Sequence, residues 1–153
     1  MNEDYRLDRV RGSLVGGAAG DALGYPVEFI PSYEDICQRY GKDGITRLDV
    51  NPWWTDEGKG KALISDDTQM TLFTACGVLN AKGMGSAPLP SIEEAYKEWY
   101  YTQGGIRSKR YRRCWVGDVP RLNVKRAPGV TCMTALESVM RFREPDNDSK
   151  GCG

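Results

Sequence analysis

A chain of 153 residues with 40% hydrophobic side chains has the size and composition of one globular unit able to bury a core. Its 21 basic and 21 acidic side chains cancel, so no global field draws in nucleic acid or a membrane surface, and nucleic acid is not expected as a partner. The absence of histidine removes Ser-His and Cys-His dyads, histidine-ligated zinc and histidine general bases, leaving carboxylates and oxygen-loving metals as the catalytic equipment at hand.

The opening MNEDYRLDRV is charged and lacks the apolar core of a signal peptide. No apolar run approaches the ~20 residues that a membrane span needs, so a soluble, cytoplasmic protein is the expectation. Cys37, Cys76, Cys114, Cys132 and Cys152 are odd in number and show no CxxC spacing, which disfavours a disulfide framework or a zinc site. Cys76 and Cys132 lie in apolar helical patterns and read as small buried hydrophobes.

In chain order, Leu7, Val10, Leu14 and Ala18 recur at spacings of three and four and predict a helix from about Asp4 to Leu23. The run Gly16, Gly17, Ala18, Ala19, Gly20 is costly in an isolated helix, at up to about 1 kcal/mol per glycine, so a close packing partner is expected. The same bare backbone would also leave room beside a ligand. Gly24 and Pro26 should end this helix and turn the chain between Asp21 and Glu28. A short helix fits Pro31 to Tyr40, and Gly41 to Lys61 reads as loop, with Trp53 and Trp54 as core covers or as an aromatic wall for a base.

The next stretch, ALISDDTQMTL at Ala62 to Leu72, sets a hydroxyl and two adjacent carboxylates where an apolar run becomes a helical pattern. Ser65 suits the N-cap, and Asp66 and Asp67 sit where the helix dipole favours anions. Two readings fit these residues, a plain capped helix start and half of a hard-metal site. The helix should run from Asp66 to about Asn80, with Met70, Leu72, Phe73, Cys76, Gly77 and Leu79 on its apolar side and a stop at Lys82-Gly83.

Gly85 to Pro90 reads as a linker, and Ser91 with Glu94 as a capping box opening a helix from Ser91 to Tyr101 whose tyrosines pack. The run Arg107 to Arg113 carries five basic residues, either a solvated segment or a phosphate contact. A turn at Pro128-Gly129 and an N-cap at Thr131 predict a last helix to about Arg143, with Met133, Leu136, Val139, Met140 and Phe142 as its apolar residues. Asn147 to Gly153 is turn-forming, and as bare sequence it is a weak phosphate-loop signal.

Two segments, GDALGYPVEF around Asp21 and Glu28 and SDDTQM from Ser65, resemble the paired N-terminal signatures of the ADP-ribosylglycohydrolases. RAPGVTCMTAL from Arg126 to Leu136 and NDSKGCG from Asn147 to Gly153 follow in that family's order, so the resemblance covers nearly the whole chain and is weakest between Gly85 and Lys125. It implies an all-α, orthogonal multi-helical bundle. It also implies metal-dependent hydrolysis of the glycosidic bond of ADP-ribosylated protein or another ADP-ribose conjugate. The centre would hold two Mg2+ or Mn2+ ions, with Ser65, Asp66, Asp67 and Glu28 as ligands and Glu28, Asp66 and Asp67 as catalytic groups. Asp21 would orient groups around the site. Asp66, Ser149, Lys150, Gly151, Cys152 and Gly153 would contact the ADP-ribose.

By the same resemblance, family members continue from the GCG into a second helical half with an Asp-rich segment that completes the metal centre. The expectation is therefore the N-terminal half of the domain, residues 1–153, with the C-terminal half absent and little activity in isolation. Such a half should expose apolar surface and self-associate, or pair with a complementing C-terminal half. The alternative is a non-catalytic fragment or interaction module that retains the family fold.

Overall fold

The computed structural model describes residues 3–50, 62–105 and 114–143. The fold is all-α: every regular element among these residues is helical. The chain divides into two compact units, Met1–Thr68 and Gln69–Gly153. Trp53, Trp54, the Arg107 to Arg113 run and the terminal loop with Ser149, Lys150, Gly151, Cys152 and Gly153 lie outside the described residues.

In the first unit, helix α1 spans Glu3–Gly24, opening on Glu3 and Asp4 where the helix dipole stabilises anions. It stops where Pro26 withdraws an amide donor, and the chain tightens into a 3-10 turn, Tyr25–Val27, with Tyr25 and Pro26 buried. Among the described residues the close partner expected for its glycines is not found. A methyl group placed on Gly12, Gly16, Gly17, Gly20 or Gly24 would meet nothing within 4 Å. Leu7, Val10 and Val15 are exposed, so these small residues are not explained by packing among the described residues.

Helix α2, Tyr33–Tyr40, starts where Ser32 Oγ accepts from the Asp35 amide at 3.1 Å. It ends at Gly41, whose φ of +93° is left-handed and whose amide donates to Cys37 O at 2.8 Å. Glycine takes that conformation without the Cβ clash other residues suffer.

Helix α3, Asp66–Met84, runs past the expected stop. Gly83 is carried as a helical residue, and the left-handed turn falls at Gly85 (φ +64°), where the Ser86 amide closes on Ala81 O at 3.0 Å. Leu79 does not join the apolar side: it is 59% exposed although it stands three residues after the buried Cys76.

Helix α4 is Pro88–Thr102, so the linker expected over Gly85 to Pro90 is partly helix and Ser91 is no cap. Pro88 and Pro90 fall in the first turn, where the amides they lack would have no helical partner. Glu94 instead pairs with Lys97 at 2.8 Å. Helix α5 is Val130–Met140, with Gly129 rather than Thr131 at the N-cap. Phe142 lies beyond its end with φ +57° and is 98% exposed, so it is no part of the apolar face.

The core of the second unit gathers Phe73 and Cys76 from α3, Ala95, Trp99 and Tyr100 from α4, Cys114 and Val116 around a 3-10 turn, and Leu136 from α5. Cys132 packs against it half-buried, and Cys37, Cys76 and Cys114 carry free thiols. At Gly77 the helices α3 and α4 touch backbone to backbone: a Cβ there would lie 2.7 Å from the Ile92 Cα. No helix among the described residues is long and apolar enough to cross a membrane.

Candidate functional site

Of the residues singled out from the sequence, Asp21, Glu28, Ser65, Asp66 and Asp67 come from the end of α1, the turn after it and the start of α3, all within the first unit, while Ser149, Lys150, Gly151, Cys152 and Gly153 lie outside the described residues. Ser65 is 2% exposed, and its Oγ accepts from the Asp67 amide at 3.1 Å, so it is the N-cap that its residue type suggests. Asp21, in the last turn of α1, accepts at a single carboxylate oxygen from two donors. These are the Ser65 backbone amide, at 2.8 Å, and the Thr68 hydroxyl. One carboxylate oxygen therefore fixes both the residue before α3 and a side chain of its first turn.

The two aspartates of α3 differ in environment. Asp66 is buried at 7% exposure, whereas Asp67 faces solvent. Glu28 follows the 3-10 turn, and its amide closes on Tyr25 O. Its carboxyl is raised above the ordinary carboxylate range, first because part of it is drawn out of water and then because the Asp67 and Asp21 carboxylates face it. Repulsion from two like charges disfavours ionisation, as desolvation does. Asp21, Glu28 and Asp67 thus share one negative field although they come from three stretches of chain.

A field of carboxylates and hydroxyls is the donor chemistry that Mg2+ or Mn2+ prefers. Among the described residues, however, no group of three or more Cys, Asp or Glu side chains converges closely enough to hold a metal ion. The donors fit such an ion in kind and, among the described residues, fall short of a ligand set in number. Hydrogen bonds already claim Ser65 Oγ and one oxygen of Asp21, which suits these two to orienting the helix start.

Sequence reasoning overlooked a buried amide network in the second unit. Gln69, fully buried, donates from Nε2 to Val124 O at 2.8 Å and to Leu122 O at 3.2 Å, and its Oε1 accepts from Gln103 Nε2 at 2.9 Å. Gln103 Oε1 in turn accepts from the Arg126 amide at 2.9 Å. These side chains supply the hydrogen bonds that the irregular segment after Leu122 cannot make for itself. The signal was present: Gln69 is a polar residue at the spacing of the buried stripe, three after Asp66 and four before Phe73.

The sequence profile of the ADP-ribosylglycohydrolase family matches residues 1–153. The ADP-ribosylarginine hydrolase Tri1 of Serratia proteamaculans (strain 568) is 29% identical over 119 residues, a span that covers 78% of this chain. That span is 28% of the relative, so the match extends over little more than a quarter of its length. No solved structure matches the chain significantly.

Proposed function

The chain belongs to the ADP-ribosylglycohydrolase family, and from this premise we propose that it contributes the first carboxylate segments of a metal-dependent site that hydrolyses the bond between ADP-ribose and an ADP-ribosylated protein or related conjugate. The observation that carries this reading is the Asp21 carboxylate, which braces Ser65 and Thr68 on either side of Asp66 and Asp67. A helix start needs a cap; it does not need a buried aspartate, an exposed aspartate and a third carboxyl pressed up in pKa by its neighbours.

In this reading Ser65, Asp66, Asp67 and Glu28 hold Mg2+ or Mn2+, two ions in the complete site, and the remaining oxygens come from a complementing second half of the domain. The bound ions would supply Lewis-acid stabilisation and an activated water. The carboxylates of this chain supply negative charge beside the ribose anomeric carbon, where an oxocarbenium-like centre develops as the bond breaks. Glu28 would contact the metal, the ribose or the water as an electrostatic stabiliser. Ser149, Lys150, Gly151, Cys152 and Gly153 would approach the ADP-ribose phosphates and ribose through their amides. Arginine-linked ADP-ribose is the first substrate to examine, since Tri1 is an ADP-ribosylarginine hydrolase.

Release of ADP-ribose from an ADP-ribosylarginine peptide, with Mg2+ or Mn2+ and with chelator, tests the reading on this chain alone and on the chain joined to a second half from a relative. Metal-dependent release that disappears in Asp66→Asn/Asp67→Asn supports it. Unchanged release in that double variant would remove the aspartates from the mechanism, and binding of ADP-ribose without turnover in the joined form would favour an interaction module.

A further inference from the structure

We propose that Gln69 is the positioning residue of the aspartate pair: its buried amide, bonded on both sides, sets the angle about the axis of α3 at which Asp66 and Asp67 are presented. Asp66, Gln69, Phe73 and Cys76 lie at spacings of three and four and form a single buried stripe, at 7%, 0%, 0% and 1% exposure. Asp67, one step round, is exposed. A rotation of the first turn by one residue's angle would exchange the environments of the two carboxylates.

Phe73 and Cys76 bury area but impose little direction, because apolar burial is non-directional. Gln69 is different. Its Nε2 bonds two carbonyls, Val124 O at 2.8 Å and Leu122 O at 3.2 Å, and its Oε1 is held by Gln103 Nε2 at 2.9 Å. Both amide hydrogens and the carbonyl are engaged, so the planar group tolerates one orientation. It sits two residues from Asp67 and three from Asp66 on the same helical turn, near enough for its constraint to reach both. Precise angular placement by supporting groups is what carboxylate sites need, and loss of such support costs metal sites about tenfold to a hundredfold in affinity.

The test uses the full chain, with the side-chain carboxyl carbons of aspartate observed by NMR and Mn2+ affinity measured by calorimetry. Gln69→Met keeps the length and removes every hydrogen bond; Gln103→Met removes the support while leaving α3 intact and serves if the first variant does not fold. Leu136→Ala, in the same core, is the control for general loosening. The expected result is that the Asp66 and Asp67 resonances move in both glutamine variants and stay in the control, with Mn2+ affinity about tenfold lower. Unmoved resonances in a folded glutamine variant overturn the proposal. The metal arm rests on the function proposed above: a wild-type chain that ignores Mn2+ counts against that function, while the resonances still decide the role of Gln69.

Discussion

At the scale of single residues, Asp21 is the side chain whose loss should be felt most in the first unit. Asp21→Ala leaves the buried Ser65 amide and the Thr68 hydroxyl without their acceptor, at a cost of about 2 kcal/mol or more by denaturant unfolding. Asp21→Asn, which keeps an acceptor oxygen, should lose less. Glu28 behaves in the opposite sense. Its native carboxyl is raised, so ionisation opposes folding: the native state is unburdened below the unfolded carboxylate pKa, and stability is lost as pH rises through the native value. Glu28→Gln should therefore be neutral at pH 3 and stabilising at pH 7, by no more than a few tenths of a kcal/mol because the side chain is largely in water. A thermal melt series across that range checks it, and a variant less stable at neutral pH than the parent would refute the assigned repulsion. None of this sign could be read from the sequence, where Glu28 stood as a ligand and catalytic group by the family resemblance alone.

At the scale of elements, two glycines in helices should respond oppositely to alanine. Gly16 in α1 has open space around its missing Cβ, so Gly16→Ala should gain up to about 1 kcal/mol of helix propensity. Gly77 in α3 lies against the Ile92 backbone at 2.7 Å, and backbone cannot swing aside as a long side chain does. Gly77→Ala should cost about 1–3 kcal/mol despite the same propensity gain. Chemical denaturation of the two variants checks both, and a stabilised Gly77→Ala would show that α3 and α4 are not in backbone contact. The helices α1 and α3 were legible because apolar spacing agreed with a local start or stop signal, Gly24 and Pro26 after α1 and Ser65 before α3. The start of α4 was misread because Ser91-Glu94 imitates a cap, while Pro88 three residues earlier already suits a first turn. The end of α5 was misread because Phe142 matches the apolar period, although the chain turns left-handed there and leaves it in water.

At the scale of the whole molecule, α1 carries Tyr5, Leu7, Val10 and Val15 at 45–68% exposure along a helix whose glycines have no close neighbour among the described residues. Exposed apolar residues gathered on one element favour association. Sedimentation velocity should show self-association that grows with concentration and weakens in Val10→Lys/Val15→Lys, whereas a monomer unchanged over a wide concentration range would count against it. Periodicity located helices along the chain, because helical spacing of apolar residues is a local property, and the family resemblance carried by two local motifs with RAPGVTCMTAL and NDSKGCG implied the all-α class. The chemistry of Asp21, Ser65, Asp66 and Asp67 was likewise visible as residue types. Only the tertiary structure decided which carboxylate is buried, which is exposed and which braces the others, because a hydrogen bond from Ser65 to Asp21 spans 44 residues. The buried amides of Gln69 and Gln103 belong to the same class of fact: glutamine is ordinarily a surface residue, and only the carbonyls that the fold brings to it make burial favourable.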